Sequence, residues 1–385
     1  MSKPPDELNN GRILDQLKRL EERISRIESR LDLEPVHGIV ETATEPQAPD
    51  TTTETQDKLE LQLGQNWFAK AGIVVLAIGI AFLLTFPYRN VPAIVPSAFG
   101  YLLVGGIFFL AHYWRESYQQ ISRYLLGGAL LLLYFTTLRL SYFSSEPALT
   151  IKGIELALLL GVVVADLIIS ARKKSVFLVG LSLTLGCVTA LVGGQSYFVF
   201  AVITAVSGAA VYFTLHFQRY SILVYAIVLT YTTHLLWSFN NPFFGNTLQL
   251  VSGPPLALLF ILLYALIFSV GSLLRGRDRS EDAPVILSAF LNGPGSYSLF
   301  LLVTLAVFPT EVVFWHGVAS CFFLALSIFF WLREKSRYAT FVYAMLGYTA
   351  LSVAIIAQSS MPKGLILLCW QSLLVITTAV WFRSR

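Results

Sequence analysis

The side chains that could do chemistry in this chain are the ionisable ones set inside otherwise apolar stretches, and they fall into two layers. One layer holds Arg139, Glu155, His234, Glu311 and His316; the other holds Lys70, His112, Arg123 and Asp166. A charge near the centre of a bilayer costs about 3 kcal/mol on insertion scales, so each of these is a candidate for transport or binding. Arg139 and Glu155 flank one short loop and should lie at similar depth, as should Arg123 and Asp166. The arginines are sixteen residues apart and the acids eleven. At about 1.5 Å rise per residue that leaves a mismatch of about 7 Å, within reach of a long side chain that snorkels. We expect Arg139 and Glu155 to pair near the membrane surface or to line a polar cavity. Arg123 and Asp166 are expected to form a structural ion pair. His234 and His316 titrate near neutrality when unperturbed and could carry protons, or be plain interface residues. Neither they nor Glu311 show ligand spacing within one helix, so no metal is expected.

A different chemistry is suggested by Asn292-Gly293-Pro294-Gly295, which falls inside an apolar stretch. Proline removes a backbone donor and glycine weakens a helix, so a break or kink is expected there. Interrupted helices expose backbone groups that serve as ligands in many transporters, although membrane helices also tolerate such kinks as packing features. The expected polar cavity therefore gathers Arg139, Glu155, His234, Asn292, Pro294, Glu311 and His316. Gln371, Thr230, Thr232 and Thr233 read first as hydrogen-bonding groups between helices. Phosphate-binding loops, nucleophile elbows, HExxH and dinucleotide fingerprints are all missing, so we expect no catalytic residue, no cofactor and no enzyme.

The elements that must position these groups are long apolar segments. The 385 residues are 55% hydrophobic and 13% charged, with a net charge of +4 and a mean hydropathy of +0.67, whereas soluble domains carry about 25% charged residues. Spans are expected over 68–86, 92–113, 121–143, 154–170, 175–193, 196–216, 220–239, 253–274, 285–308, 311–332, 338–358 and 363–382. Most match a hydrocarbon core of about 30 Å. Loops after even-numbered spans, with the C-terminal tail, contain Arg115, Arg172, Lys173, Lys174, Arg219, Arg275, Arg277, Arg279, Arg333, Lys335, Arg337, Arg383 and Arg385. Those after odd-numbered spans contain only Arg89, Lys152 and Lys363. Thirteen against three places both termini on the cytoplasmic side. The basic residues thus orient helices, and no nucleic acid is expected as a partner. Tyr88, Tyr113, Tyr142, Trp67, Trp114, Trp331 and Trp381 cluster at span ends as an aromatic belt. Gly72, Gly79, Gly105, Gly106, Gly127 and Gly128 suggest close packing among the first three spans. Cys187, Cys321 and Cys369 fall within spans and form no CxxC pair, which suggests neither disulfides nor a thiolate metal site.

Before the spans, Ile13, Leu17, Leu20, Ile24, Ile27 and Leu31 alternate in steps of four and three, the seam of a short coiled coil or of a surface amphipathic helix. We read 1–33 as this helix, 34–62 as an acidic Thr/Pro-rich linker too polar to bury a core, and 63–385 as the transmembrane domain. No apolar signal region precedes the first span, which is expected to act as its own insertion signal.

Gly64-Gln65-Asn66-Trp67-Phe68-Ala69-Lys70-Ala71-Gly72 resembles the start of the bacterial membrane-protein family known as domain of unknown function 2339. Leu125-Leu126-Gly127-Gly128-Ala129 with Tyr134-Phe135-Thr136-Thr137 is similar to a second segment of that family. The resemblance covers about residues 60–145 and implies bacterial origin and a helical bundle, with no activity attached. The expected fold is an all-α polytopic bundle of about twelve transmembrane helices in the bacterial inner membrane, with lipid as its surroundings. The expected function is transport or lipid handling of a substrate the sequence does not name. The alternative is a non-catalytic scaffold that forms homo-oligomers through the N-terminal seam.

Overall fold

The computed structural model describes residues 94–142, 151–242, 245–251, 253–274, 283–333, 337–360 and 362–383, with the isolated positions Val75 and Gly79. These all lie in Gln62–Arg385, the second of two units into which the chain divides. The heptad seam, the linker, Lys70 and nearly all of the first expected span lie outside the described residues.

Eleven helices are described: α1 (Ile94–Tyr113), α2 (Gln119–Arg139), α3 (Lys152–Lys173), α4 (Val176–Gly193), α5 (Ser196–Phe217), α6 (Ser221–Ser238), α7 (Leu256–Leu273), α8 (Ala283–Val307), α9 (Val312–Arg333), α10 (Arg337–Gln358) and α11 (Lys363–Arg383). Each is long and apolar enough to cross a membrane, and no strand occurs among the described residues. They coincide with the second to twelfth expected spans to within a few residues. Two boundaries differ for local reasons. α2 stops at Arg139, and Leu140, Ser141 and Tyr142 turn back onto the carbonyls of Thr137 and Leu138. α3 is longer than expected because the polar Arg172–Lys173 pair continues the helix. It ends at Lys174, held in the left-handed region at φ 48°, and Ser175 then caps α4 by accepting from the Leu178 amide at 3.5 Å.

Consecutive helices pack as antiparallel neighbours, and α5, α6, α7 and α8 build the centre with α9 and α10 against them. The buried face of α3 recurs at Glu155, Leu159, Val163, Asp166 and Ser170, a helical spacing that lays it on α4. There Ser170 and Ser182 share a hydrogen bond at 3.2 Å. α11 packs on α10, where Gln371 donates to the Tyr348 carbonyl at 2.7 Å and to Ser352 at 2.9 Å, and meets α9 at its end, where Trp331 packs on Trp381 and donates to the Phe382 carbonyl at 3.4 Å. Outward-facing positions are apolar, among them Leu102, Phe109, Trp370 and Ile376. An apolar exterior around a core stitched by hydroxyls and amides is what a bilayer requires.

The glycines expected to bring the early spans together behave differently. Gly105 and Gly106 meet no described side chain, while a Cβ on Gly127 would lie 2.7 Å from the ring of Phe177 on α4. Gly127 thus accommodates α4 rather than α1.

Candidate functional site

Asn292 sits in the bundle centre on α8, 1% exposed. Its Oδ1 accepts from the Tyr231 hydroxyl of α6 at 2.6 Å. Its Nδ2 donates to the Ala265 carbonyl at 2.9 Å, to Ser269 Oγ at 3.2 Å, both on α7, and to the Tyr343 hydroxyl of α10 at 2.9 Å. Ser269 and Tyr343 also bond each other at 2.9 Å. One amide thereby ties four helices, and every polar group in the node has a partner.

The neighbouring glycines explain the sequence around it. A Cβ on Gly293 would lie 2.8 Å from Leu346 and 3.0 Å from Val342 of α10, and one on Gly295 would lie 3.1 Å from Tyr231 of α6. At this motif α8 approaches both neighbours closely. α8 runs unbroken from Ala283 to Val307 with Pro294 inside it, which corrects the expected interruption. Pro294 has no N–H to give the Phe290 carbonyl, and the close packing on both sides carries the helix through it.

The other expected cavity residues are dispersed. His234 on α6 is fully buried with neither ring nitrogen hydrogen-bonded. It stacks on Phe200 at 5.1 Å between centroids and 8° between planes, with Trp237 and Tyr264 edge-on at 5.7 and 5.8 Å. His316 on α9 donates from Nδ1 to the Val312 carbonyl at 3.0 Å and packs edge-on against Tyr297 and Phe300 of α8. The two histidines thus belong to separate ring clusters. Glu311 is exposed and accepts from the Trp315 indole at 2.8 Å, which fixes the entry to α9.

The acids of α3 and the arginines of α2 stay apart. Glu155, 6% exposed, lies beside Ser141 and Tyr142 rather than pairing with Arg139. Arg139 is itself buried at the end of α2. Burial and the adjacent Glu155 carboxyl push the Tyr142 phenol above its ordinary pKa. Arg123 is exposed, whereas Asp166 is fully buried with neither carboxyl oxygen hydrogen-bonded. The expected Arg123–Asp166 ion pair is therefore not made. The longitudinal mismatch prevails, because the Arg123 guanidinium, in the opening turns of α2, reaches solvent more cheaply than it descends to the α3–α4 contact.

A cavity of about 310 Å³ opens at the end of the bundle where α2, α4 and α6 finish. Tyr142, Leu191, Val192, Gly194, Ser196, Trp237, Asn240, Asn241, Asn246 and Val251 line it, none of them an expected cavity residue. Its wall is a helix terminus made by asparagine. Asn240 and Asn241 adopt φ 60° and 49°, the left-handed region that asparagine enters more readily than most residues. Asn240 N–H returns to the Trp237 carbonyl at 3.0 Å and Asn241 N–H to Leu236 at 2.8 Å, the paired closure of a Schellman motif. Asn240 Nδ2 donates to the Thr247 carbonyl at 3.2 Å, and Asn246 Nδ2 to the Asn240 carbonyl at 3.0 Å. Val251 N–H then donates to Ser238 at 2.9 Å, which draws the loop back over the helix end.

The floor is equally fixed. Trp237, 7% exposed, meets Phe200 edge-on at 4.7 Å. A Cβ on Gly253 would lie 2.8 Å from its ring. The Oδ1 of Asn241 is buried and accepts no hydrogen bond. His234 and Glu155 stand behind this cavity, one against Trp237 and the other beside Tyr142. The available signal was Phe239-Asn240-Asn241-Pro242 with Asn246, a run of turn-forming residues directly after a helix-terminal tryptophan. No family model matches the chain, and neither does any curated protein or solved structure.

Proposed function

We propose that this chain is a multi-pass protein of the bacterial inner membrane that handles a lipid or small polar molecule by holding its polar group in the end cavity. The observation that carries this reading is the cavity itself: about 310 Å³, lined among the described residues by Tyr142, Ser196, Asn240, Asn241 and Asn246 and by a tryptophan clamped between Phe200 and Gly253. Ligand sites combine an apolar lining with a few placed polar groups in this way. The loops at this end are those poor in Lys and Arg, so the cavity faces away from the cytoplasm and both termini face into it.

The same geometry favours holding over alternating access. Rocking one group of helices against another would part α8 from α6, α7 or α10 and break several bonds of the Asn292 node together. The test is native mass spectrometry of the full chain in nanodiscs formed from its own membrane. A bound polar or lipid species is expected on the wild type and lost in Ser196→Trp, which fills the cavity, at unchanged melting temperature. A bound species retained in that variant, or none on either protein, would remove the reading.

A further inference from the structure

We infer that the end of the bundle opposite the cavity carries a docking corner for anionic phospholipid, built from the start of α2 and the α3–α4 turn. The inference is independent of the cavity and of what it holds. Two segments distant in sequence meet at this corner. Tyr124, in the opening turns of α2, packs edge-on against Phe177 in the first turn of α4 at 5.3 Å between centroids, and Gly127 leaves room for the Phe177 ring. Leu126, Leu130 and Leu178 pack together beneath, with Ile169 of α3 against them. Arg123, next to Tyr124, is thereby gathered with Arg172, Lys173 and Lys174 at the end of α3.

All four basic side chains are exposed. Among the described residues the exposed acid at this end is Glu116, and Arg115 already pairs with it at 3.2 Å. No carboxylate of the described residues stands within ion-pair distance of the other four. Unpaired cations clustered just outside a membrane helix attract anionic headgroups, whose phosphate oxygens accept from guanidinium and ammonium groups. The surface below makes the occupant a lipid rather than a soluble anion. Val164, Ile168 and Arg172 follow one another in steps of four along one face of α3, and Val164 and Ile168 are exposed. That face is apolar for two turns and ends in a guanidinium. Val176 and Phe177 carry the exposed apolar surface onto α4, directly beyond the lysines and Ser175. A phospholipid has the same order, acyl chains below and a phosphate above. The α5–α6 turn at the same end has Arg219 alone, which sets the corner apart from an ordinary basic loop.

The test titrates the full-length protein, delipidated in a neutral detergent, with phosphatidylglycerol or phosphatidylcholine of the same acyl chains. Bound lipid is counted by native mass spectrometry. Phosphatidylglycerol is expected to bind roughly tenfold more tightly. Arg123→Gln, Arg172→Gln and Lys173→Gln together should abolish that preference. Arg219→Gln, Arg333→Gln and Arg337→Gln together remove the same charge elsewhere at this end and should keep it. Both triple variants change exposed side chains and should melt with the wild type in the absence of lipid. Equal binding of the two lipids by the wild type overturns the inference, as does a preference that survives in the first triple. Equal loss in both triples leaves only diffuse attraction and overturns the corner. A preference that appears only after Glu41, Glu45, Asp50, Glu54, Asp57 and Glu60 are changed to their amides gives the corner to the chain's own acidic segment and overturns the lipid assignment. Should the first triple not fold, a photoactivatable phosphatidylglycerol on the wild type decides. Adducts within 164–177 support the corner, and adducts confined to other segments overturn it.

Discussion

Asn292 and Asn241 both place a carboxamide where water is scarce, and they differ in what surrounds it. Asn292 meets four groups from three other helices. Asn241 closes a helix through its backbone and leaves its side-chain oxygen buried without a donor. In the low dielectric of a membrane protein an amide without partners is costly, so a saturated node serves cohesion. At Asn241 the backbone makes the closure, and the side chain adds no such tie between helices. The comparison also separates two uses of glycine and asparagine in one chain. At 292–295 they bring helices together, while at 240–246 they turn the chain around a space.

Substitutions at the two sites should therefore part company. The largest effect is expected from Gly293→Leu, which drives a side chain into Leu346 and Val342 and should cost about 1–3 kcal/mol by overpacking, read as a lower melting temperature in one fixed lipid or detergent. Asn292→Ala should follow at about 1–2 kcal/mol, since it removes the acceptor of the Tyr231 hydroxyl and the amide that ties Ala265, Ser269 and Tyr343 to α8. Asn241→Gly, which keeps the left-handed backbone at φ 49° and removes the amide, should leave the melting temperature in the same assay nearly unchanged. Equal losses at 292 and 241 would erase the distinction between node and cavity. The smallest effect concerns the arginine and acid that stay apart. A double-mutant cycle of Arg123→Gln and Asp166→Asn should give a coupling below about 0.5 kcal/mol, and a larger value would restore the ion pair.

Much of the fold was legible in the sequence because bilayer length and hydropathy constrain helices strongly. α1 to α11 fall where runs of about twenty apolar residues are interrupted by Lys, Arg, Pro or Asn. The site was far less legible. Insertion cost marks His234, His316, Arg139, Glu155 and Asp166 as unusual, but it does not say which direction each faces. His234 was absorbed into a ring stack, and Glu311 into a contact with Trp315. Asn292 was singled out for the reason that fits, a polar motif in an apolar helix. Its role inverted because glycines beside a proline can mark close packing as readily as a break. The cavity residues escaped notice since Asn240, Asn241 and Asn246 follow the helix rather than interrupt it, and they meet Tyr142 and Ser196 only through tertiary structure.

The central claim is that the polar centre of the bundle is closed while its loop-bearing end is open, and paired cysteine labelling tests it most directly. In a chain freed of Cys187, Cys321 and Cys369, Ser196→Cys at the cavity and Ser296→Cys one turn from Asn292 would be exposed to an impermeant maleimide on intact cells. Ser196 is partly exposed and Ser296 fully buried. The account predicts steady labelling at 196 and none at 296 over the same period. Comparable rates at both positions would mean that water reaches the centre of the bundle, and would return the Asn292 motif to the role of a transport site.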